Sequence, residues 1–108
     1  MKRKSNMVKH IILWKLKESI AADEKPAVLA GIKANLEALK GVVPGLVDIK
    51  VNCTGVLGSS NADLMLDSTL TDAAALKGYA VHPAHVEAAN TYVRPYTEVR
   101  LCLDYEEQ

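Results

Sequence analysis

Residues 8–16 of the chain read Val-Lys-His-Ile-Ile-Leu-Trp-Lys-Leu, and this stretch indicates how the rest of the protein folds. Its even positions are apolar apart from His10, whereas its odd positions mix two lysines with Ile11 and Leu13. This alternation predicts a β-strand with one strongly apolar face and one half-apolar face. Because a half-apolar face is poorly matched to water, the strand hints at a partner subunit that covers it.

Length and composition limit the kind of protein that this chain can be. Its 108 residues suffice for one domain, and 49% of them are hydrophobic, which is typical of a globular protein. Because 13 basic residues are balanced by 13 acidic ones, nucleic acid is disfavoured as a partner. No stretch approaches the ~20 apolar residues of a transmembrane helix. We therefore expect a cytoplasmic protein with neither a nucleic-acid nor a membrane partner.

The N-terminal residues 1–7 precede any apolar pattern and carry three basic residues at positions 2–4. We expect a flexible tail there. The apolar run that follows is too short for a signal peptide and is flanked by lysines. The pattern leaves both Met1 and Met7 open as the native start.

Apolar periodicity predicts a helix and two strands after the first strand. The helix begins with Pro26 in its first turn, presents one apolar stripe and ends before Gly41. The third strand covers residues 63–70 and forms a hairpin with the second. The second strand places three β-branched residues on one face, namely Val47, Ile49 and Val51.

The C-terminal part of the chain combines a helical region, interrupted by a proline, with a last strand. Thr71 is the expected N-cap of a helix that ends near His82, because the residue before a proline resists helical geometry. Pro83 then begins another helix, which ends at Arg94. The last strand, residues 97–105, places Val99, Leu101 and Leu103 on one face and Glu98, Arg100, Cys102 and Asp104 on the other.

This order of elements predicts an α+β protein with the ferredoxin-like split βαββαβ arrangement over residues 8–106. Its antiparallel four-stranded sheet has helices on one face only, so the other face must be solvated or covered by a second copy. Glu98, Arg100 and Asp104 then form either a solvated face or, if that dimer forms, a charged set at or beside the interface that could pair between subunits.

The segment Tyr79–His85 concentrates the residues that are suited to acid–base chemistry, because it places a phenol and two imidazoles within seven residues. An imidazole changes charge near neutral pH and a phenol donates hydrogen bonds well, so the two suit proton transfer beside an oxyanion. The break at Pro83 lets Tyr79 and His85 approach from two different helices. As alternatives, His82 is a helix cap and His85 and His10 are structural histidines.

A metal-binding role for the three histidines is a weaker interpretation. His10, His82 and His85 have no carboxylate or cysteine at ligand spacing. Cys53 and Cys102 are too few for a disulfide framework, so we expect reduced, partly buried thiols. The residue spacing therefore predicts no metal site.

Several segments of the chain carry a family resemblance when they are taken together: Val8 to Lys15, the Pro44–Gly45 pair, the strand at residues 63–68, the Tyr-x-x-His-Pro-x-His run of Tyr79–His85, and the closing Asp104–Tyr105. They resemble the stress-responsive dimeric α/β-barrel (Dabb) family over almost the whole chain. The resemblance implies a homodimer in which two sheets pack face to face into a dimeric α/β barrel. Each subunit then keeps a pocket between its own sheet and helices.

The resemblance also implies which residues act in that pocket. The family includes plant stress proteins and a plant polyketide cyclase, in which the matching tyrosine and second histidine perform an aldol cyclisation without a cofactor. Carried over by position, Tyr79 and His85 are the candidate catalytic pair. The candidates for contact with the substrate are His10, Ile12, Trp14 and His82.

The expected function is a pocket for a small carbonyl or phenolic ligand, with cofactor-independent chemistry of the cyclase or lyase type. A neutral imidazole at His85 would remove a proton next to a carbonyl, while Tyr79 would donate to the enolate oxygen. Two alternatives stay open: a homodimer that binds a ligand or protects under stress without chemistry, and a purely structural dimer.

Overall fold

The computed structural model describes residues 6–108. The strands are β1 (Val8–Leu16), β2 (Leu46–Asn52), β3 (Leu64–Leu70) and β4 (Thr97–Glu106), and the helices are α1 (Lys25–Glu37), α2 (Ala73–Val81) and α3 (Pro83–Ala88). Residues 1–5 of the predicted tail lie outside the described residues, while the carbonyl oxygen of Met7 accepts a 2.9 Å hydrogen bond from the amide of Glu107. Within residues 6–108, no helix has the length and apolar character needed to cross a bilayer.

β1 lies inside the sheet and is hydrogen-bonded along both of its edges. The strand order is β2-β3-β1-β4, and all three pairings are antiparallel. This order, with the helices on one face, confirms the predicted α+β, ferredoxin-like split βαββαβ arrangement.

The core lies between the sheet and the helices. Burial alternates along β1, whose even-numbered residues from 8 to 16 are buried, so this face meets the helices as predicted. Ile32 and Leu36 of α1 are fully buried against it. Burying a side chain of this size contributes about 1.5–3 kcal/mol, so α1 is held mainly by its apolar stripe.

β2 contains a β-bulge that the sequence pattern did not predict. Its pairing with β3 passes from Leu46 opposite Leu70 to Asp48 opposite Thr69, which leaves Val47 as an extra residue. Leu46 is therefore buried, whereas Val47 is 38% exposed. The prediction that Val47 shares one face of the strand with Ile49 and Val51 is wrong for this reason.

α2 is capped one residue later than predicted. The carboxylate of Asp72, not the hydroxyl of Thr71, accepts a 2.8 Å hydrogen bond from the amide of Ala75. The amide of Thr71 instead donates to the carbonyl of Gly45 at 2.9 Å. Thr71 thereby connects the turn before β2 to the start of α2.

The helical region is interrupted at His82 and Pro83, as predicted. His82 has an extended backbone, and its Nδ1 accepts a 3.1 Å hydrogen bond from the amide of Ala84. α3 then continues directly into a π-helical turn (Ala89–Val93) and a 3₁₀ turn (Arg94–Tyr96). The amide of Arg94 bonds to the carbonyl of Ala89, five residues earlier, which is the π-type spacing.

The two faces of β4 follow from its register with β1. His10 lies opposite Asp104, Ile12 opposite Cys102 and Trp14 opposite Arg100. Directly opposite residues share a face, so the polar row of β4, namely Arg100, Cys102 and Asp104, lies on the same side of the sheet as the helices. Arg100 and Asp104 therefore do not lie on the open face that a second sheet would cover.

The apolar row of β4 lies on the open face of the sheet. Leu101 pairs with Leu13 and Leu103 pairs with Ile11, so four aliphatic side chains adjoin one another there. Leu101 is 62% exposed and Leu103 is 61% exposed. Such an exposed aliphatic cluster is typical of a surface that binds another protein.

Gly45 is the position where an added methyl group should be costly. Its φ of +79° lies in the left-handed region, and a Cβ there would lie 2.6 Å from the Cβ of Ala75. We expect Gly45→Ala to lose about 1–2 kcal/mol from backbone strain and a further ~1–3 kcal/mol from overpacking. Urea unfolding measures the loss.

Gly41→Ala is the matched control for that substitution. Gly41 has a similar φ of +86°, but a Cβ there meets nothing within 4 Å. Gly41→Ala should therefore show only the loss from backbone strain. Equal losses for the two variants would contradict the close packing between Gly45 and α2.

Candidate functional site

A cavity of about 370 Å³ lies between the sheet and the helical region. Its lining includes the predicted residues Tyr79, His85, His10, Ile12 and Trp14. β1 supplies three of these side chains from alternate positions on its buried face, and the other two come from α2 and α3. His82 lies outside this lining and caps α3 through its Nδ1. The structure thus brings the predicted residues together, with the exception of His82.

Tyr79 and His85 contact each other across the break between α2 and α3. Their ring centroids are 4.3 Å apart, with the rings tilted by 39°. In an uninterrupted helix, residues six apart point in widely different directions, at 3.6 residues per turn. The interruption at Pro83 is therefore what allows the phenol and the imidazole to meet.

The same interruption determines which nitrogen of His85 is free. The amide of Ala84 bonds to His82, so the carbonyl of Ala80 lacks its usual helical partner and lies 3.2 Å from Nδ1 of His85. Because a carbonyl oxygen only accepts hydrogen bonds, Nδ1 of His85 carries the hydrogen. In the neutral ring, Nε2 then holds the lone pair that can accept a proton.

The surroundings of His85 favour its neutral form. Burial lowers the pKa of His85 below its ordinary value of 6.5, and the positive charges of Arg94 and Arg100 lower it further, as does His10. The hydrogen bond to Ala80 acts in the opposite direction but is the smaller effect. His85 is therefore neutral at pH 7 and can accept a proton.

Tyr79 presents a buried phenol with an unused hydroxyl. The residue is 1% exposed, and its hydroxyl has no hydrogen-bond partner within residues 6–108. Burial raises the pKa of Tyr79 to about 12, although the charge of Arg100 acts in the opposite direction. The hydroxyl therefore keeps its proton at neutral pH. Buried polar groups are nearly always paired in native proteins, so this hydroxyl is available to donate a hydrogen bond to an oxygen atom of a ligand.

His10 lies edge-on to Tyr79 and is held by β4. The ring centroids of His10 and Tyr79 are 5.8 Å apart, with an interplanar angle of 66°. Nδ1 of His10 donates to the carboxylate of Asp104 on the neighbouring strand. The hydroxyl of Ser68 donates to the carbonyl of His10 at 2.7 Å. The backbone and the ring of His10 are thus both fixed.

Sequence spacing did not predict the neighbours of His10. The donor atoms of His10, Cys102 and Asp104 lie within 4.8 Å of one another, so a cysteine and a carboxylate do accompany this histidine. These are donor types that transition metals accept. However, Nδ1 of His10 is already bonded to Asp104, and burial raises the pKa of the Cys102 thiol. The thiol of Cys102 also donates to the carboxylate of Asp104 at 3.5 Å, so hydrogen bonds account for the contacts of Asp104 with both His10 and Cys102.

Two arginines line the cavity that the sequence analysis did not assign to it. Arg94 reaches the cavity through the π-helical turn, because the five-residue spacing of this turn brings Ala89, Val93 and Arg94 to the same side of the helix. Arg100 reaches it through its pairing with Trp14. The signal that could have found Arg100 is its position in the polar row of the last strand, whereas no sequence signal marked the π-helical turn.

Comparisons with known proteins agree with this architecture. A family model described as the stress responsive A/B barrel domain (Dabb) matches residues 8–107. An uncharacterised protein of Streptomyces coelicolor is 37% identical over 82 residues, which cover 73% of this chain and 79% of that protein. These two matches identify a family, and neither of them names an activity.

Solved structures extend the comparison. A dimeric protein of unknown function with a ferredoxin-like fold from Bacteroides fragilis is 31% identical, with a TM-score of 0.87, and the match covers 97% of this chain and all of that one. The hydroxynitrile lyase from Passiflora edulis is 17% identical, with a TM-score of 0.73, and the match covers 95% of this chain and 94% of that one. At 17% identity, the second likeness shows the fold alone.

The lowered pKa of His85 predicts a pH dependence of stability. Below pH 6.5 the unfolded chain binds a proton at this imidazole, whereas the folded protein still keeps it neutral. The free energy of unfolding should therefore fall as the pH decreases from 6.5 to the lower pKa of the folded state. Urea unfolding of the wild type and of His85→Gln measures this, because the variant should lose that part of the pH dependence.

An NMR titration of the histidine imidazoles provides the independent check. The His85 resonance, assigned by its absence from the His85→Gln spectrum, should titrate with a midpoint below 6.5. A midpoint at or above that value would show that burial does not disfavour the charged ring.

Proposed function

Since the chain belongs to the stress-responsive A/B barrel (Dabb) family, as its sequence predicted, we propose that it transfers protons on a small carbonyl compound bound in its cavity. The observation that best supports this proposal is the buried Tyr79 hydroxyl, which has no partner within residues 6–108 and belongs to a ring that contacts His85. An unpaired buried hydroxyl costs about 1–3 kcal/mol, so a ligand oxygen that accepts its hydrogen bond would be favoured.

The proposed reaction begins with proton removal by His85. Nε2 of His85 takes a proton from the carbon next to the carbonyl, and the electron pair of that C–H bond forms a carbon–carbon double bond. The π electrons of the carbonyl move to its oxygen, which accepts a hydrogen bond from Tyr79. The enolate then either regains a proton at carbon from His85, or its carbon forms a bond to a second carbonyl carbon, as in an aldol cyclisation. In the second case the π electrons of that carbonyl move to its oxygen, and this oxygen takes the proton from His85. Neither step requires a metal or an organic cofactor.

The other predicted residues have supporting roles in this proposal. Ile12 and Trp14 form an apolar part of the cavity wall that would contact the carbon skeleton of the ligand. His10, held by Asp104, would contact the ligand beside Tyr79. The contacts of His82 support a capping role instead of substrate contact.

Ligand binding without chemistry is a second candidate function. The observation that favours it is the lowered pKa of His85, because an imidazole that binds protons weakly is also a weaker base. Under this alternative, Tyr79 would donate a hydrogen bond to a bound ligand, but the ligand would keep its carbon-bound protons.

Deuterium exchange separates the two candidates. With methyl acetoacetate in D₂O, the protein should accelerate exchange of the protons between the two carbonyls, measured by proton NMR above the buffer rate. Removing the base in His85→Gln should lower the protein-catalysed rate by about 10²- to 10⁴-fold. Removing the donor in Tyr79→Phe should lower it by about 10²-fold.

Tyr92→Phe is the matched control, since Tyr92 is a partly exposed tyrosine whose phenol does not line this cavity. It should exchange the protons at the wild-type rate. If the ester shifts the resonances of Tyr79 and His85 but no exchange is accelerated, the protein is a binder. If neither binding nor exchange occurs, the proposed function is wrong.

We further propose that the protein is a homodimer that buries the open faces of two sheets against each other. The Bacteroides fragilis protein, at 31% identity, is described as dimeric. In this chain the open face presents Leu101 and Leu103, both more than half exposed, beside Ile11 and Leu13. Two such faces would bury each other's aliphatic side chains and form a dimeric α/β barrel.

Leu101→Asp tests the dimer, because it places a carboxylate in the middle of that aliphatic cluster. Residues at the centre of an interface often contribute at least ~2 kcal/mol to binding. We therefore expect the dissociation constant of the dimer to rise by about 30-fold or more. Sedimentation equilibrium measures the change. Val81→Asp is the control, since Val81 is 74% exposed but lies at the end of α2, on the helix side. A monomeric wild type, or equal effects of both variants, would contradict the proposed interface.

A further inference from the structure

Two positively charged side chains line the same cavity because of two irregularities in the backbone. The π-helical turn Ala89–Val93 places Arg94 among the lining residues. In β4, the pairing with β1 shifts between Leu16 opposite Thr97 and Lys15 opposite Val99, so Glu98 is an extra residue. Thr97 and Arg100 consequently both line the cavity, although they are three residues apart.

Neither guanidinium forms an ion pair with a carboxylate in the part of the chain that the structure describes. Arg94 donates to the neutral side chain of Asn90. Asp104, which lies on the same face of β4 as Arg100, is bonded to His10. Both arginines therefore keep an uncompensated charge at the cavity.

These charges reach the reacting groups. The charges of Arg94 and Arg100 both disfavour protonation of His85, and the charge of Arg100 also acts on Tyr79. A negative charge on a ligand would be stabilised in the same field. A guanidinium also matches a carboxylate geometrically, since its parallel N–H groups can donate to both oxygens.

We propose that Arg94 and Arg100 form a carboxylate-binding subsite and that the ligand of this cavity is a keto acid. The carboxylate of the ligand lies at the two guanidiniums while its ketone oxygen accepts the hydrogen bond of Tyr79. This inference rests on the proposed function, because it names the class of carbonyl compound on which His85 would act. The same arginines would stabilise the additional negative charge of the enolate.

The test compares a keto acid with its uncharged ester. Levulinate and methyl levulinate have the same carbon chain up to the carboxyl group, and both are chemically stable. Dissociation constants come from chemical-shift titrations at low ionic strength. We expect the wild type to bind levulinate at least about tenfold more tightly than the ester, and this preference should weaken as added salt screens the charges.

Substitutions at the two arginines identify the source of that preference. Arg94→Gln and Arg100→Gln should each reduce the preference for the acid by about fivefold while leaving the affinity for the ester within about twofold. Arg100→Lys keeps the charge and should retain part of the preference. Both arginines are exposed, so these variants should fold, which circular dichroism verifies. Lys77→Gln is the charge control, since it removes one exposed cation on α2 and should leave the preference unchanged.

The outcomes separate this inference from the proposed function. Equal affinities of the wild type for the acid and the ester overturn the subsite, and so does a failure of both compounds to bind at millimolar concentrations. An equal loss of preference in Lys77→Gln overturns it as well, because the effect would then be general. If the arginine-dependent preference is present while methyl acetoacetate shows no accelerated exchange, the subsite stands and the catalytic proposal fails.

Discussion

The pairing of β1 with both β3 and β4 is the constraint on which the rest of the molecule depends. A strand that is bonded on both edges cannot rotate, so the alternation of its side chains determines what each face of the protein contains. One face supplies Ile12, Trp14 and His10 to the core and the cavity. The other supplies Ile11 and Leu13 to the open face. A shift of one residue in this register would exchange the two sets of side chains, and both the cavity lining and the aliphatic open face would be lost.

The second constraint is the amide hydrogen that Pro83 lacks. Proline cannot continue the hydrogen-bond pattern of α2, and the extended backbone of His82 redirects the chain. The consequences follow one another: His82 caps α3, the carbonyl of Ala80 becomes available, and His85 is held with its Nε2 unprotonated. One imino acid thus determines the direction of the helix, the contact with Tyr79 and the tautomer of the candidate base.

The features that could be predicted from the sequence depend on local patterns. The alternation in residues 8–16 predicted β1, and the break at Pro83 predicted that Tyr79 and His85 would meet. The family resemblance predicted which face of β1 lines the pocket. These predictions use residues that are close in sequence, or a pattern that spans the whole chain.

The features that were missed depend on pairings between distant residues. The bulges at Val47 and Glu98 follow from register with a neighbouring strand, which the alternation within a single strand does not contain. The bond between His10 and Asp104 joins residues 94 apart in the sequence. Local apolar spacing also does not distinguish a π-helical turn from an α-helix, so the position of Arg94 stayed hidden.

The missed features add positive charge to the cavity that holds the predicted pair. With His85 neutral and Tyr79 protonated, the acid–base pair itself brings no net charge to the cavity. Proton removal from a bound carbonyl compound would therefore create a negative charge on the ligand beside a phenol that can only share its proton. A bulge and a π-helical turn each interrupt regular hydrogen bonding, and here they place Arg100 and Arg94 in the lining of the cavity in which that charge would develop. The irregular backbone thus supplies the charge that the predicted pair lacks.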